Sequence, residues 1–500
     1  MTTSLFRKLF WWEMRQMPRR GFLWVVVAIL FAAFAWGAVN AEALRRSQTA
    51  SVAKNLAADA AWRADVDAKV RAYSTPSNVT IQYWQDPTDV DAFSHYFLRQ
   101  SAAKPALPLA ALSVGQSDLL PFFLPVKLDT PFGIDPSYDF EHPRALALGL
   151  FDMGFALVFF LPIGVILLVT MVGAYERDHG ILRFAASQAV SPRLLLGTKL
   201  LALAAWLVPL LLIAATLALV VAGAPVLHDL VGLGAMLLAM SAYALFWFTL
   251  SWLVLSFQRG AAASASALIA IWALFAIVVP KAATLGTALF VPQNSYVDFI
   301  NQRRVVEDAV MRGGEGWDGS VRQWLDGLSF PQAKTVDPTS LSYAAHLVFV
   351  APERERRLRA TADRMAAEHA AAGRWTLLVE LLSPPAALQD ALSTIAGTDA
   401  RRHDRFLTSV REYQHELRDF VYPRVKAQVL NPAANSCSGC AGRLTFTEHH
   451  AVPSYRVPGQ TTRQRIEPAL AWAAFFCAIS AVLGLAAVRR GRLWRPGELQ

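Results

Sequence analysis

The chain has 500 residues, of which 54% are hydrophobic, and a formal net charge of +9. This apolar content is too high for an ordinary soluble enzyme. The polar segments contain no basic patch, so a nucleic-acid partner is not indicated. A helical crossing of a bilayer needs about 20 apolar residues, and six stretches reach that length. They are residues 21–41, 145–174, 200–222, 230–257, 261–280 and 468–488.

Residues 1–20 predict a helix that lies in the membrane interface ahead of the first crossing. Basic residues occupy one face of this helix, and apolar residues at helical spacing occupy another, which suits an interfacial position. The apolar face carries Leu5, Phe6, Leu9, Phe10 and Met14. The first 43 residues also resemble a secretory signal, but the long apolar run favours an uncleaved crossing. Helical spacing continues through Glu42–Tyr73, which predicts that the first helix extends out of the membrane.

Positive charge is concentrated on one side of the predicted crossings. Residues 1–20, the loop 175–199, the turn at Arg259 and the tail 489–500 carry 14 basic and 4 acidic side chains. The other side carries 32 basic and 33 acidic side chains. Short loops rich in Lys and Arg face the cytoplasm, so the charge bias predicts an inner-membrane protein of bacteria with both termini in the cytoplasm.

The fold class that follows is an all-α membrane protein with six transmembrane helices. Two long insertions, residues 42–144 and 293–467, are expected to form a mainly helical extracytoplasmic domain. Nothing indicates the alternating strands of a closed barrel, so a helical bundle remains. Within the second insertion we predict helices at 296–312, 352–371, 375–394 and 399–425, a loop at 313–329 and extended chain at 445–456.

The loop 175–199 carries a distinctive order of residues. Glu176 is followed by Gly180, a helix-compatible run at 181–189, and then Val190, Ser191, Arg193, Gly197 and Lys199. This order resembles the cytoplasmic coupling loop of type-2 ABC exporter permeases. Motifs elsewhere are similar to one subgroup of these permeases, which carries a large uncharacterised extracytoplasmic domain. They are Gly-Gln-Ser-Asp-Leu-Leu-Pro at 115–121, Gly-Leu-Phe-Asp-Met at 149–153 and Ala-Gly-Thr-Asp at 396–399.

The resemblance implies a permease subunit that couples ATP hydrolysis by a separate chain to substrate movement. No Gly-x-x-x-x-Gly-Lys-Ser/Thr motif occurs, so this chain is expected to bind no cofactor and to catalyse no reaction itself. ATP and Mg²⁺ would belong to the partner ABC ATP-binding subunit, and a second permease, identical or related, would complete the path. The residues implied in ATPase coupling are Glu176, Arg177, Gly180, Arg193 and Lys199. The alternative is a non-transporting sensor or scaffold with a ligand- or protein-binding outer domain.

Two charged residues fall within or beside predicted crossings. Asp152 lies about eight residues into an apolar stretch, where a carboxylate is costly and should face the bundle or a wet cavity. It is interpreted either as a cavity or gating residue, paired with Lys281, or as a helix cap or interfacial anchor. Pro280 and Lys281 interrupt the fifth apolar stretch, so the chain is expected to bend along the interface or form a re-entrant turn there.

Cys437-Ser-Gly-Cys440 lies in the second insertion, in a compartment where disulfides persist. A disulfide loop is the favoured interpretation. A soft-metal site completed by His449 and His450, and redox exchange, are the other two. Acid–base chemistry at Asp399, His403 and Asp404 is less favoured than a solvated charged helix face.

Overall fold

The structure, a computed structural model, describes residues 2–74, 82–115, 117–133, 150–175, 192–290, 295–312, 314–328, 335–431 and 445–491. It is mostly helical, with one small two-stranded sheet. Apart from short 3₁₀ and π segments, the helices in chain order are α1 (Thr2–Gln16), α2 (Gly21–Tyr73), α3 (Met153–Gly173), α4 (Pro192–Ala222), α5 (Leu230–Leu255), α6 (Ala261–Thr287), α7 (Ser295–Arg312), α8 (Gly314–Asp326), α9 (Tyr343–Leu382), α10 (Pro384–Ala396), α11 (Ala400–Val429) and α12 (Thr462–Gly491).

Several of these helices are long and apolar enough to cross a membrane, namely α2, α3, α4, α5, α6 and α12. The helix predicted to continue through residues 42–73 is confirmed, because α2 runs for 53 residues, or roughly 80 Å at 1.5 Å per residue. Its extension out of the membrane stays a prediction. Its apolar half buries one stripe at helical spacing, including Leu23, Val26, Leu30 and Phe34. Helical backbone satisfies its own hydrogen bonds, which is what a lipid environment demands.

Two large hydrophobic cores, with a small third cluster that includes Val306 and Val350, organise the described part of the chain. The first core is formed by the six apolar helices together with α10, and its largest fully buried side chains include Trp247 and Tyr243 of α5. The second core joins the far end of α2 to the strands and to α8, α9 and α11. The residues around the second core, 59–133, 295–382 and 398–461 as far as they are described, are called the polar domain below. Its strands β1 (Gln100–Ala103) and β2 (Phe123–Val126) pair antiparallel.

Two of the predicted crossings lie in helices that begin at other residues than the crossings do. The helix predicted at 145–174 begins at Met153, and Asp152 is its N-cap rather than a residue inside it. The helix predicted at 200–222 begins at Pro192, where proline is tolerated because the first-turn N–H groups have no helical acceptor. The last eight residues of the predicted loop 175–199 are therefore helical.

The fifth apolar helix is not interrupted at Pro280 and Lys281, contrary to the prediction. A π-helical turn at Leu274–Val278 precedes the proline, and the helix continues beyond it. Proline cannot donate a backbone hydrogen bond, which would leave the Phe275 carbonyl without a helical donor in this register. The Ser383 hydroxyl donates to that carbonyl at 2.6 Å, so a side chain from the α9–α10 turn completes the helix.

The prediction for the second insertion was partly wrong. The helices expected at 296–312 and 399–425 are confirmed as α7 and α11. The loop predicted at 313–329 is largely helical as α8. The two helices expected at 352–371 and 375–394 are instead α9, which continues through Pro352, and α10, with the break at Ser383. Residues 445–456 contain a 3₁₀ turn and no strand.

Candidate functional site

The strongest candidate site lies where α1 packs against the beginning of α4. Glu13 of α1 is fully buried, and its Oε1 lies 3.4 Å from Nζ of Lys199, which is 7% exposed. Arg20 lies on the other side of the carboxylate, with Nη2 3.9 Å from Oε2. A charged group out of water needs a charged or hydrogen-bonding partner, so this contact ties the two helices together.

A second set of contacts holds α1 in the same place. The indole Nε1 of Trp206 in α4 donates to the Met14 carbonyl at 2.9 Å. Trp24 at the start of α2 donates to the Pro18 carbonyl at 2.9 Å, which fixes the turn between α1 and α2. Met17 in that turn is fully buried in the first core. The N-terminal helix is therefore attached to both α2 and α4.

The outer face of α1 carries large exposed side chains. Trp11 and Trp12 are 57% and 54% exposed, and Phe6 is also exposed. Indole rings are enriched at membrane–water interfaces because their bodies are apolar and their N–H groups are polar. This face suits the interfacial position that the sequence predicted for residues 1–20.

Of the residues predicted to couple to an ATPase, the structure describes the side chain of Lys199. Glu176, Arg177 and Gly180 lie outside the described residues, and so does the side chain of Arg193 in the first turn of α4. Lys199 is described, and it points into the protein towards Glu13 rather than to the surface. Its position suits a residue that holds α4 on α1, and its part in ATPase coupling stays a prediction.

Asp152 and Lys281 are placed in different surroundings. The Asp152 carboxylate accepts hydrogen bonds from the backbone N–H groups of Phe155 and Val114, both at 2.6 Å, and from the Ser113 hydroxyl at 3.3 Å. These bonds cap α3 and attach it to the polar domain, which is the anchoring role considered from the sequence. Lys281 is exposed on α6.

The histidines of the predicted metal site meet an unexpected partner. Nε2 of His449 lies 2.8 Å from Oδ1 of Asp67, and Nδ1 of His450 lies 3.9 Å from the same oxygen. Asp67 belongs to the extension of α2 and was not singled out in the sequence. Cys437 and Cys440 lie outside the described residues, so the predicted disulfide stays a prediction.

The prediction of a solvated charged face was wrong for His403 and Asp399 and right for Asp404, which is exposed. His403 and Asp399 are both 6% exposed, and the Lys104 Nζ lies 3.3 Å from His403 Nδ1. Burial, followed by the neighbouring Lys104 cation, lowers the pKa of His403 to about 4. Burial lowers the pKa of Lys104 to about 8, with a further contribution from Arg402. A neutral buried imidazole next to an amine fits a packing role in the second core.

Sequence reasoning missed Glu13 and Asp67. Glu13 had a usable signal, because it lies four residues after Leu9 and three after Phe10, on the apolar face of α1. An acidic side chain on such a face predicts a buried partner. Asp67 had no signal, since it is separated from His449 by 382 positions and sits in a helix with many charges.

Comparison with known proteins adds one match. A family model described as a domain of unknown function (DUF3526) matches residues 319–430, which include α9, α10 and α11. No curated protein and no solved structure matches the chain. The fold and these sites define a mostly helical protein with several apolar helices that could span a membrane.

Proposed function

We propose that the chain is the membrane-spanning subunit of an ATP-driven transporter of the type-2 ABC class, with export as its direction. A separate ATPase chain hydrolyses ATP on the cytoplasmic side, and a second permease, identical or related, completes the translocation path. In this proposal α2, α3, α4, α5, α6 and α12 are the six crossings. The polar domain lies outside the bacterial inner membrane, and the N-terminal helix lies inside.

The observation that carries the proposal is the buried Glu13–Lys199 contact between α1 and α4. Lys199 ends the segment whose order of residues resembles the coupling loop of the permease family, and α1 is the predicted interfacial helix. A force applied to residues 176–191 by a partner would reach α4 directly, because that segment leads into its first turn. Through Glu13 and the Trp206–Met14 contact it would also reach α1.

The sequence supports a transporter in which a separate subunit hydrolyses ATP. The sequence contains no P-loop, so energy from ATP must enter through another protein. The loop 175–199 and the other segments on its proposed side of the membrane carry the excess of basic residues, which is typical of cytoplasmic loops. The exposed Trp11 and Trp12 suit an α1 that is anchored in the membrane interface beside α4.

The test is an affinity purification of the detergent-solubilised protein from its native membrane, with wild type beside Glu176→Ala. The matched control is Glu416→Ala, which changes an exposed carboxylate on α11 of the polar domain. We expect a P-loop ATPase to co-elute with wild type and the control, and to decrease at least about tenfold with Glu176→Ala, as for loss of about 1.4 kcal/mol of binding free energy.

Two other outcomes would count against the proposal. Recovery of envelope proteins in place of an ATPase, unchanged by Glu176→Ala, would favour the sensor or scaffold alternative. An ATPase that co-elutes equally with all three proteins would keep the transporter but remove Glu176 from the coupling contact. ATPase activity measured after reconstitution in nanodiscs distinguishes loss of binding from loss of stimulation.

A further inference from the structure

Three metal-ligating side chains converge at the edge of the polar domain. One ligand atom from each of Asp67, His449 and His450 lies within 4.8 Å of the others. The carboxylate comes from α2, whereas the histidines belong to the 3₁₀ turn Glu448–Ala451, so the cluster joins the two insertions of the chain. The two imidazole rings are close neighbours, with centroids 3.9 Å apart.

The state of His449 points to a ligand. Only 9% of its side chain is exposed, and neither of its ring nitrogens makes a hydrogen bond of acceptable geometry within the described part of the chain. A buried imidazole normally satisfies at least one nitrogen, because an unmet polar group out of water is costly. Its Nε2 lies 2.8 Å from Oδ1 of Asp67, so both atoms can bind one cation, which would satisfy the nitrogen and neutralise the carboxylate.

The site is open to solvent. His449, His450 and Asp67 line a cleft of about 390 Å³ between α2 and the residues that lead into β1. Of the two arginines that also line the cleft, Arg99 is neutralised by Asp59, with Nε 2.7 Å from Oδ1. An ion can therefore enter from the side of His450, whose side chain is 70% exposed.

We propose that Asp67, His449 and His450 bind a divalent transition metal of the class that zinc represents. Two imidazoles and one carboxylate match the ligand preferences of this class, whereas Mg²⁺ and Ca²⁺ require oxygen ligands. Tetrahedral ligands at about 2.0–2.2 Å from the metal lie about 3.3 Å apart. Asp67 Oδ1 and His449 Nε2, now 2.8 Å apart, would separate by about 0.5 Å on binding the metal. Rotation of the exposed His450, whose Nδ1 lies 3.9 Å from the same oxygen, brings in the third nitrogen. Water completes the coordination.

The metal would clamp the extension of α2 to the segment that leads into α12. These two parts of the chain come from different insertions, so the bound ion would hold the polar domain closed along this edge. This role does not depend on the transport proposal, because it concerns only the polar domain. It also requires none of the residues of the α1–α4 junction.

The test measures binding of ZnCl₂ by isothermal titration calorimetry to the full-length protein in detergent, with MgCl₂ as the control salt. Free thiols bind zinc themselves, so the background carries serine at Cys437, Cys440 and Cys477. The expected result is one zinc site per chain, weakened at least about tenfold by Asp67→Asn or His450→Ala, as for the loss of one ligand. The matched controls Asp65→Asn and His415→Ala change exposed residues of α2 and α11 and should leave the affinity unchanged.

A second measurement identifies the atoms that bind the metal. X-ray absorption spectroscopy of the zinc-loaded wild-type protein should show nitrogen and oxygen ligands near 2.0–2.2 Å, including imidazole. Sulfur near 2.3 Å would overturn the three-residue ligand set. Equal zinc affinity in the serine background with and without Asp67→Asn or His450→Ala would show adventitious binding and would also overturn it. The Asp67 side chain is partly exposed and that of His450 is largely exposed, so we expect both variants to fold. Size-exclusion profiles verify this.

Discussion

At the scale of single residues, buried carboxylates of the polar domain depend on their immediate partners. Asp91 is 3% exposed and lies near Asp89, the N-cap of a short helix. The Ser342 hydroxyl donates to Asp91 Oδ2 at 3.0 Å and accepts from the Ala345 N–H, so Asp91 supports the cap of α9. Burial, and then repulsion from Asp89, raises the pKa of Asp91 to about 8.

The change Asp91→Asn should make the polar domain less sensitive to pH. The folded protein holds the Asp91 proton more tightly than the unfolded chain, whose aspartate pKa is near the ordinary 3.8. Stability from the neutral carboxyl is full below about pH 4 and is lost as pH rises towards about 8. We therefore expect Asp91→Asn to gain more than about 1 kcal/mol of unfolding free energy over wild type at pH 8, and little at pH 4.

Thermal unfolding followed at several pH values checks this expectation. Asp65→Asn is the control, because Asp65 is 51% exposed and makes an ion pair with Lys69 within one helix. Its difference from wild type should stay small at every pH. A constant difference between Asp91→Asn and wild type across the range would refute the proposed protonation of Asp91.

At the scale of elements, close contacts between helices decide the packing of the first core. Gly37 of α2 lies against the start of α3, where an added Cβ would come 2.4 Å from the Asp152 carbonyl carbon and 2.5 Å from the Met153 nitrogen. Small residues let helices in a membrane approach closely, since packing replaces the hydrophobic driving force there. The same contact brings the Asp152 cap to α2.

Gly37→Ala should therefore destabilise the protein, because the clash is with backbone atoms that cannot rotate away. We expect a loss of about 1–3 kcal/mol, measured as a lower unfolding temperature in detergent. Gly234→Ala in α5 is the matched control, since nothing lies within 4 Å of its added Cβ. The control should be neutral or slightly stabilising, because alanine favours helix. Equal effects of both changes would contradict this packing.

A second prediction concerns α6 and its π turn. Ser383→Ala removes the donor to the Phe275 carbonyl and also the cap of α10, since the hydroxyl accepts from the Ala386 N–H. The expected loss is about 2–4 kcal/mol. Thr284→Ala, which removes an exposed hydroxyl from the same helix, should have little effect.

A double variant isolates the role of the proline. Pro280→Ala returns a backbone N–H that can donate to the Phe275 carbonyl, so it should reduce the loss caused by Ser383→Ala. Unfolding temperatures of the single and double variants give the coupling between the two positions. If the stability changes of the two single variants simply add up in the double variant, Ser383 acts only as a helix cap.

At the scale of the whole molecule, charge and two separate cores divide the chain. The polar domain has its own core, including Val410, Leu417 and Val425 of α11, and joins the first core through α2, α10 and α12. The ion pair between Arg465 and Asp229, with Nη1 2.6 Å from Oδ2, fastens the start of α12 to the cap of α5. Both residues are buried, so the pair also fixes how the two parts meet.

The proposed orientation predicts opposite labelling of the two parts in intact cells. Single-cysteine variants at exposed positions, Glu416→Cys in α11 and Arg15→Cys in α1, are placed in the background without native cysteines. A membrane-impermeant maleimide that passes the outer membrane should label Glu416→Cys in intact cells. It should label Arg15→Cys only after the inner membrane is opened, because the positive-inside rule puts α1 in the cytoplasm.

Detergent-solubilised protein gives the upper limit of labelling for each variant and serves as the control. Labelling of Arg15→Cys in intact cells with no labelling of Glu416→Cys would invert the topology. Equal labelling of both variants in intact cells would place α1 and the polar domain on the same side of the inner membrane. That result would contradict the proposed six crossings.

Much of the fold was predictable from the sequence because lipid imposes a strong constraint on composition. Apolar runs such as 230–257 and 468–488 predicted α5 and α12, and helical spacing predicted α11. The polar domain was harder, since α8 contains four of the residues that usually mark a loop, Gly314, Gly316, Asp318 and Gly319. Packing of Val321 and Leu325 against the second core outweighs that weak local preference.

The long apolar helices, the excess of basic residues in segments 1–20, 175–199 and 489–500, and the lack of a P-loop motif could all be read from the sequence, because each depends only on composition and residue order. Tertiary structure decided which polar groups are buried and which side chains meet. The Glu13–Lys199 contact, the Ser383 donor to α6 and the cluster of Asp67 with His449 join residues more than 100 positions apart. Such contacts follow from helix packing, which local sequence does not encode.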